Sequence, residues 1–149
     1  MKSKIIFISI TVVLIGFVVL MSIFNNANSN PGNTVDDIVL EEGKTNIYFF
    51  WGDGCPHCKD QFKFFESIEE ELGEYFNLFD FEVWNNSDNA KLLREFSSIL
   101  GDNVGGIPYT IIGDKSFTGF NNEIKNNILS AIENRADSDF DVYREYQNK

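Results

Sequence analysis

The sequence predicts an α/β fold in which a central mixed sheet has helices on both faces, preceded by one N-terminal transmembrane helix. Short runs rich in aromatic and β-branched residues alternate with segments whose hydrophobic residues recur at helical spacing. Before them stands an uncharged stretch of twenty residues, Ile5 to Phe24. With 149 residues, 43% of them hydrophobic, the chain is long enough for one domain with a buried core.

The uncharged stretch predicts a membrane anchor, because about 20 apolar residues in a helix span the hydrocarbon core of a bilayer. Lys2 and Lys4 precede residues 5–24, and the next basic residue is Lys44. The positive-inside rule therefore places residues 1–4 in the cytoplasm and the rest of the chain on the extracytoplasmic side. The length of the stretch favours an uncleaved anchor, and a cleaved signal peptide, whose apolar core is shorter, is the alternative.

The composition after this stretch predicts a tethered domain that does not bind nucleic acid. Residues 25–34 are polar and include Pro31 and Gly32, which is typical of a flexible tether, and we expect the domain at residues 35–135. The chain has 23 acidic and 12 basic residues, a formal net charge of -11. This is the wrong sign for a surface that neutralises phosphates. We therefore expect no nucleic-acid partner.

The first half of the domain predicts the order strand, helix, strand, helix. Asn46–Trp51 (NIYFFW) has the composition of a buried strand. From Pro56 to Leu72 the hydrophobic residues recur at helical spacing. Leu78–Trp84 alternates well enough for a second strand. Asn85–Ser87 can cap a helix that continues to Leu100.

The second half predicts a hairpin and a covering helix. Tyr109–Ile112 and Ser116–Phe120 flank Gly113–Lys115 as the two strands of a hairpin. Residues 124–132 again place apolar side chains at helical spacing, which completes the order βαβαββα. Residues 136–149 are polar with aromatic residues at helical spacing, so a docked short helix and a frayed polar tail are both open.

The segment Trp51–Cys58 (WGDGCPHC) contains both cysteines of the chain, three positions apart at the start of a predicted helix. Unpaired backbone N–H groups and the helix dipole favour the thiolate form of Cys55, which makes it a nucleophile. Pro56 fits the first helical position, and His57 can donate a hydrogen bond or bring positive charge to the Cys55 sulfur. We expect Cys58, on the apolar face, to be a buried resolving thiol that attacks a mixed disulfide formed by Cys55.

Other roles for these residues remain open. A structural zinc site needs four ligands, and only His57 is left as a further nitrogen or sulfur donor, so we expect no metal of this kind. Two thiolates can hold Cu(I), which soft sulfur ligands select, so a copper-handling protein is a second class. His57 is also compatible with an exposed residue at a helix start that has no role.

The cysteine segment resembles the thioredoxin superfamily. Cys55, Pro56, His57 and Cys58 (CPHC) are similar to the motif of DsbA-type oxidases, and Trp51 matches the family's tryptophan ahead of the motif. The resemblance extends over residues 46–132. It implies a thioredoxin-like fold and a redox-active Cys55–Cys58 disulfide, with no other cofactor.

A second match lies fifty residues after Cys58, where Gly106–Thr110 (GIPYT) resembles the family's cis-proline loop. In the family this loop faces the active-site sulfurs, the residue before the proline pairs with an extended substrate, and the proline keeps metals from the dithiol. The resemblance assigns these substrate-binding roles to Ile107 and Pro108, and an ordinary trans turn proline is the alternative. Trp51 is assigned to substrate binding with them, although a place in the core is favoured for it.

The sequence also departs from the family in ways that bear on the direction of the reaction. The residues between Cys58 and Pro108 leave no room for the helical domain of DsbA-type enzymes. Gly54 and Phe49 stand where thioredoxins have an aromatic residue and a buried aspartate. Ile107 is typical of reducing thioredoxins, whereas the CPHC dipeptide is typical of oxidases. We give the dipeptide more weight because it lies against the sulfur.

The sequence thus predicts an enzyme, a membrane-anchored extracytoplasmic protein thiol-disulfide oxidoreductase, with oxidase favoured over reductase. Its expected partners are protein thiol or disulfide substrates and a membrane redox partner that recycles the dithiol. The expected location is the cell membrane with a single pass, or outside the cell if the N-terminal segment is cleaved.

Overall fold

A four-stranded mixed sheet forms the centre of the domain in the computed structural model, which describes residues 31–134 and 139–149. Its strands are β1 (Thr45–Trp51), β2 (Phe76–Glu82), β3 (Tyr109–Ile112) and β4 (Lys115–Thr118). They lie in the order β2-β1-β3-β4, with β1 parallel to β2 and antiparallel to β3, and β3 antiparallel to β4. The predicted mixed sheet is confirmed.

Helices pack on both faces of this sheet. They are α1 (Pro56–Leu72), α2 (Ser87–Leu100), α3 (Asn122–Glu133) and α4 (Val142–Gln147). Ile47 and Phe49 of β1 join a core cluster with residues of α1 and α3, whereas Tyr48 and Phe50 join a second cluster with residues of α2 and α4. Successive side chains of a strand point to opposite faces, so both faces of β1 are buried. This explains why the strand is a continuous apolar run.

Three strands have boundaries that differ from the prediction: β1 begins one residue earlier, at Thr45, and β2 and β4 are displaced. β2 begins at Phe76, which pairs with Thr45. It ends at Glu82, whose carboxylate accepts hydrogen bonds from the backbone N–H groups of Trp84 and Asn85. β4 begins at Lys115, which pairs with Ile112, and ends at Thr118, so the hairpin turn is one residue shorter than predicted. In both cases pairing with the neighbouring strand fixes the ends.

The domain begins before Val35, because part of the predicted tether is bonded to it. Gly32 forms an isolated antiparallel bridge with Phe81. The side-chain oxygen of Asn33 accepts a hydrogen bond from Asp80 N–H at 2.9 Å, and its carbonyl accepts one from Asn89 Nδ2 at 2.9 Å. Thr34 then caps a short 3-10 helix, Val35–Asp37. Residues 32–34 are therefore part of the fold, contrary to the prediction.

Residues 1–30, which include the predicted span at 5–24, lie outside the described residues. Within residues 31–134 and 139–149, no helix is both long and apolar enough to cross a membrane.

The end of the chain contains the docked helix that the sequence left open. Asp141 caps α4, Val142 is fully buried, and Tyr146 packs edge-on against Phe96 of α2. The Asp141 carboxylate also accepts hydrogen bonds from the Tyr48 hydroxyl at 2.9 Å and from Asn46 Nδ2 at 3.0 Å. The helix is thus attached to the centre of the sheet.

Candidate active site

The cysteine pair lies where β1 ends and α1 begins. Cys55 and Cys58 form a disulfide, with their Cα atoms 5.3 Å apart. Cys55 is the N-cap of α1, and its Sγ accepts a hydrogen bond from Cys58 N–H at 3.2 Å. Pro56 occupies the first turn of the helix, where a backbone N–H would have no partner within the helix. The first turn of α1 contains no acidic residue, so no carboxylate there opposes negative charge on the first sulfur.

Both cysteines are buried, whereas Cys55 at the helix start was expected to be exposed. Cys58 is 1% exposed and Cys55 is 8% exposed. Cys55 is more enclosed than a free thiol at a helix start, because it is bonded to Cys58 and packs in the same core cluster as Trp51. The neighbouring side chains of Pro56 and His57 are exposed.

The loop between β1 and Cys55 depends on two glycines. Gly54 has φ +80°, a left-handed conformation that favours glycine. A residue with a side chain would be strained at this φ. A Cβ on Gly52 would lie 2.2 Å from the indole of Trp84, which covers this glycine while remaining 58% exposed.

The Ile107–Pro108 peptide bond is cis, as the resemblance implied. Tyr109, the next residue, begins β3 and pairs with Phe50 near the end of β1, so the proline loop lies at the same edge of the sheet as the cysteine pair. Ile107 is partly buried against both core clusters. The buried Gln61 of α1 donates a hydrogen bond to Thr110 Oγ1 at 2.6 Å and so attaches the cysteine-bearing helix to β3.

Trp51 lies in the core and not at a substrate surface. Its side chain is 9% exposed and packs edge-on against Phe62. Its indole Nε1 donates a hydrogen bond to Asp80 Oδ1 at 2.9 Å. Of the two roles that the sequence offered for Trp51, the structure supports the core position. The exposed tryptophan beside the cysteine loop is Trp84, which sequence reasoning did not single out.

Asp80 is a half-buried carboxylate on β2 that sequence reasoning also missed. It pairs in register with Phe49, so both side chains lie on the face of the sheet that α1 covers. Burial raises the pKa of Asp80, and the hydrogen bond from Trp51 offsets this only in part. A carboxyl group thus stands on the strand next to the position at which thioredoxins have their buried aspartate.

Glu82 is a second missed carboxylate, and it is 5% exposed at the end of β2. Burial opposes its ionisation, but hydrogen bonds from the backbone N–H groups of Asn85, Asp53, Trp84 and Asn86 outweigh this and lower the pKa of Glu82. The sequence signal for both residues was acidic side chains inside the apolar run LFDFEVW.

Metal ligands do not cluster at this site. Across the described ranges, which omit residues 1–30 and 135–138, no three His, Cys, Asp or Glu side chains are grouped to hold a metal ion.

The order of elements, the mixed sheet, the cysteine pair at the start of α1 and the cis-proline at the same edge of the sheet define a thioredoxin-like fold. The chain is similar to the solution structure of an uncharacterised thioredoxin-like protein from Clostridium perfringens, with a TM-score of 0.50 and 21% identity over 74% of this chain and 86% of that one. This likeness shows the fold.

Two further solved structures have TM-scores below 0.5. A protein from Chlorobium tepidum assigned as a thiol:disulfide interchange protein DsbE has a TM-score of 0.48 and 16% identity over 62% of this chain and 80% of that one. A chloroplastic thioredoxin z has a TM-score of 0.46 and 22% identity over 62% of this chain and 81% of that one. No family model and no curated protein matches the chain.

Proposed function

We propose that this protein is a thiol-disulfide oxidoreductase that exchanges disulfides with protein substrates through Cys55 and Cys58. One observation carries the proposal: a disulfide at a helix N-terminus, in which the N-cap residue Cys55 is 8% exposed and Cys58, inside the helix, is 1% exposed. A purely structural bridge across three positions would close too short a loop to stabilise the fold much. Reversible chemistry is a better account of the pair.

In the oxidising direction, a substrate thiolate attacks Cys55 Sγ, the Cys55–Cys58 bond breaks, and Cys58 leaves as a thiolate that takes up a proton. A second substrate thiolate then attacks the substrate sulfur of the mixed disulfide and releases Cys55 as a thiolate. The substrate has lost two electrons and two protons, and the Cys55–Cys58 pair has gained the electrons. In the reducing direction Cys55 is the attacking thiolate and Cys58 resolves the mixed disulfide.

Oxidation is the direction we favour. The CPHC motif places His57 in the first turn of α1, where a positive or hydrogen-bonding imidazole stabilises thiolate at Cys55. A dithiol whose reduced form is stabilised is a stronger oxidant. The reduction potential of the pair decides between the directions, since known poises run from about -270 mV for thioredoxin to about -120 mV for DsbA. A value near the thioredoxin end would make the protein a reductase.

Trapping tests the roles of the two sulfurs. Cys58→Ser should accumulate mixed disulfides between Cys55 and substrate proteins, because no resolving thiol is left. Cys55→Ser is the matched control and should accumulate none, because Cys58 lies inside α1 and is only 1% exposed, against 8% for the N-cap residue Cys55. Equal trapping by both variants, or by neither, would overturn the proposal.

We place this reaction on the extracytoplasmic side of the cell membrane, with a membrane redox partner that recycles the dithiol. The support is in the sequence: the uncharged residues 5–24 follow Lys2 and Lys4. An anchored chain should stay in the membrane fraction after carbonate washing at its full mass of 17.0 kDa. A soluble product that begins near Asn28 would show a cleaved signal peptide instead.

A further inference from the structure

The loop that presents Cys55 is bonded to a single buried carboxylate, that of Glu82. Its Oε1 accepts hydrogen bonds from Asp53 N–H at 3.2 Å and from Trp84 N–H at 3.0 Å. Its Oε2 accepts one from Asn85 N–H at 2.8 Å. A carboxylate that accepts several backbone N–H groups is held as an anion in a fixed place. Glu82 therefore joins the cysteine loop to the turn that follows β2.

The bond to Asp53 is the one that crosses between the two segments. Asp53 lies two residues before Cys55, and its own side chain is exposed. It stands between Gly52 and Gly54, which have no Cβ to restrict the backbone. The loop closes on itself through Cys55 N–H, which donates to the Gly52 carbonyl at 3.1 Å. The Trp84 indole packs over Gly52, and Val83 N–H donates to the Trp51 carbonyl at 2.8 Å, so the bond to Glu82 is the restraint that acts on Asp53 itself.

We propose that Glu82 is a positioning residue for the redox pair: its carboxylate fixes residues 52–54 so that Cys55 Sγ stays aligned with Cys58 N–H. The hydrogen bond between these two cysteines is 3.2 Å long in the oxidised protein. After reduction the same N–H favours the thiolate of Cys55. The effect on exchange rests on the proposed function, whereas the loop geometry stands without it.

Position and charge act on Cys55 in opposite directions, which makes the proposal testable. A negative charge close to Cys55 disfavours its thiolate, so removing that charge alone would lower the Cys55 pKa. If the loop were no longer fixed, the Cys55 pKa would rise, because Cys58 N–H would no longer be aligned with Cys55 Sγ. Glu82→Asp keeps the charge but withdraws the carboxylate by one methylene. Glu82→Gln removes the charge and replaces one acceptor oxygen with an amide donor.

The experiment compares the wild-type chain with Glu82→Asp, Glu82→Gln and the control Glu74→Gln. Glu74 is exposed just before β2, so this control removes the same charge at the opposite end of the strand. The measurements are the Cys55 pKa from thiolate absorbance, the redox equilibrium with glutathione and the hydrogen-exchange rate of the Asp53 amide. Both Glu82 variants should raise the Cys55 pKa and exchange the Asp53 amide about tenfold faster. Their redox equilibria should shift about tenfold toward the disulfide, which is about 30 mV for two electrons.

Four results would refute the positioning role. A lower Cys55 pKa in Glu82→Gln with no change in Glu82→Asp would mean that Glu82 acts by charge alone. Unchanged values in both variants, or equal changes in Glu74→Gln, would mean that it does not act on this site. An unprotected Asp53 amide in the wild-type protein would also mean that Glu82 does not fix this loop. This measurement needs no variant, so it tests the proposal even if the variants fail to fold. Wild-type protein with a protected Asp53 amide but no disulfide exchange would instead overturn the proposed function and leave the loop contact standing.

Discussion

Replacing Asp141 with alanine should destabilise the domain by about 2–4 kcal/mol and leave the redox potential unchanged. Asp141 Oδ1 accepts hydrogen bonds from Tyr143 N–H at 3.0 Å and Arg144 N–H at 3.2 Å, and losing such a helix cap costs about 1 kcal/mol. The same carboxylate accepts from the hydroxyl of Tyr48, whose side chain is fully buried. Burial raises the pKa of Tyr48, and the Asp141 charge raises it further, so the hydroxyl remains a donor. A buried donor without its acceptor costs about 1–3 kcal/mol.

Denaturant unfolding of residues 31–149 measures this loss, and Tyr48→Phe separates its parts. Tyr48→Phe removes the donor and should cost about 1 kcal/mol. The double variant leaves no hydroxyl unpaired, so its loss should be smaller than the sum of the two single losses. Asp141→Asn keeps an oxygen for the helix cap and should lose less than Asp141→Ala. Strict additivity, or an Asp141→Ala loss below about 0.5 kcal/mol, would refute the reasoning that this carboxylate attaches α4 to the sheet.

Three further predictions concern the site and its surroundings. Gly52→Ala should destabilise the domain by about 1–2 kcal/mol in denaturant unfolding, since its Cβ would lie 2.2 Å from the Trp84 indole. Adding Trp84→Ala removes this clash, so the double variant should regain stability. His57→Ala should raise the Cys55 pKa and lower the reduction potential, and unchanged values would make His57 a bystander and weaken the preference for oxidase. Because the folded-state pKa of Glu82 is lowered, its contribution is present above its unfolded pKa of about 4.3 and is lost as pH falls through the lower folded value. Unfolding free energies in that acidic range should therefore depend less on pH in Glu82→Gln than in wild type.

The elements nearest the cysteines could be predicted because their signals are local. Ile47–Trp51 are apolar or aromatic on both faces of β1, which predicts a buried strand. The helical spacing of hydrophobic residues starts at Pro56, where α1 begins. The loop preceding β3 was placed by its proline, and the cis bond follows the resemblance. In each case a few adjacent residues are sufficient to identify the element.

The missed features depend on which strands lie side by side. Asp80 and Glu82 look like the polar positions of a half-exposed strand. Only the register of β2 against β1 brings Asp80 to the Trp51 indole and Glu82 to the cysteine loop. Likewise, nothing local shows that Asn33 is bonded to Asp80, so a polar segment with proline and glycine suggested a tether that extends too far. Hydrogen-bond partners distant in sequence are not visible in local composition.

The different settings of the two tryptophans give the protein two separate optical probes. Trp51 shares a core cluster with both cysteines and donates its indole N–H to Asp80, whereas Trp84 is 58% exposed. A buried indole emits at shorter wavelength than a solvated one, and contact with a disulfide quenches it. In Trp84→Phe, emission would therefore report the redox state from inside the domain, without an added label. In the wild-type protein, the longer-wavelength emission of Trp84 would instead change when a substrate binds beside the cysteine loop, since this indole packs over Gly52.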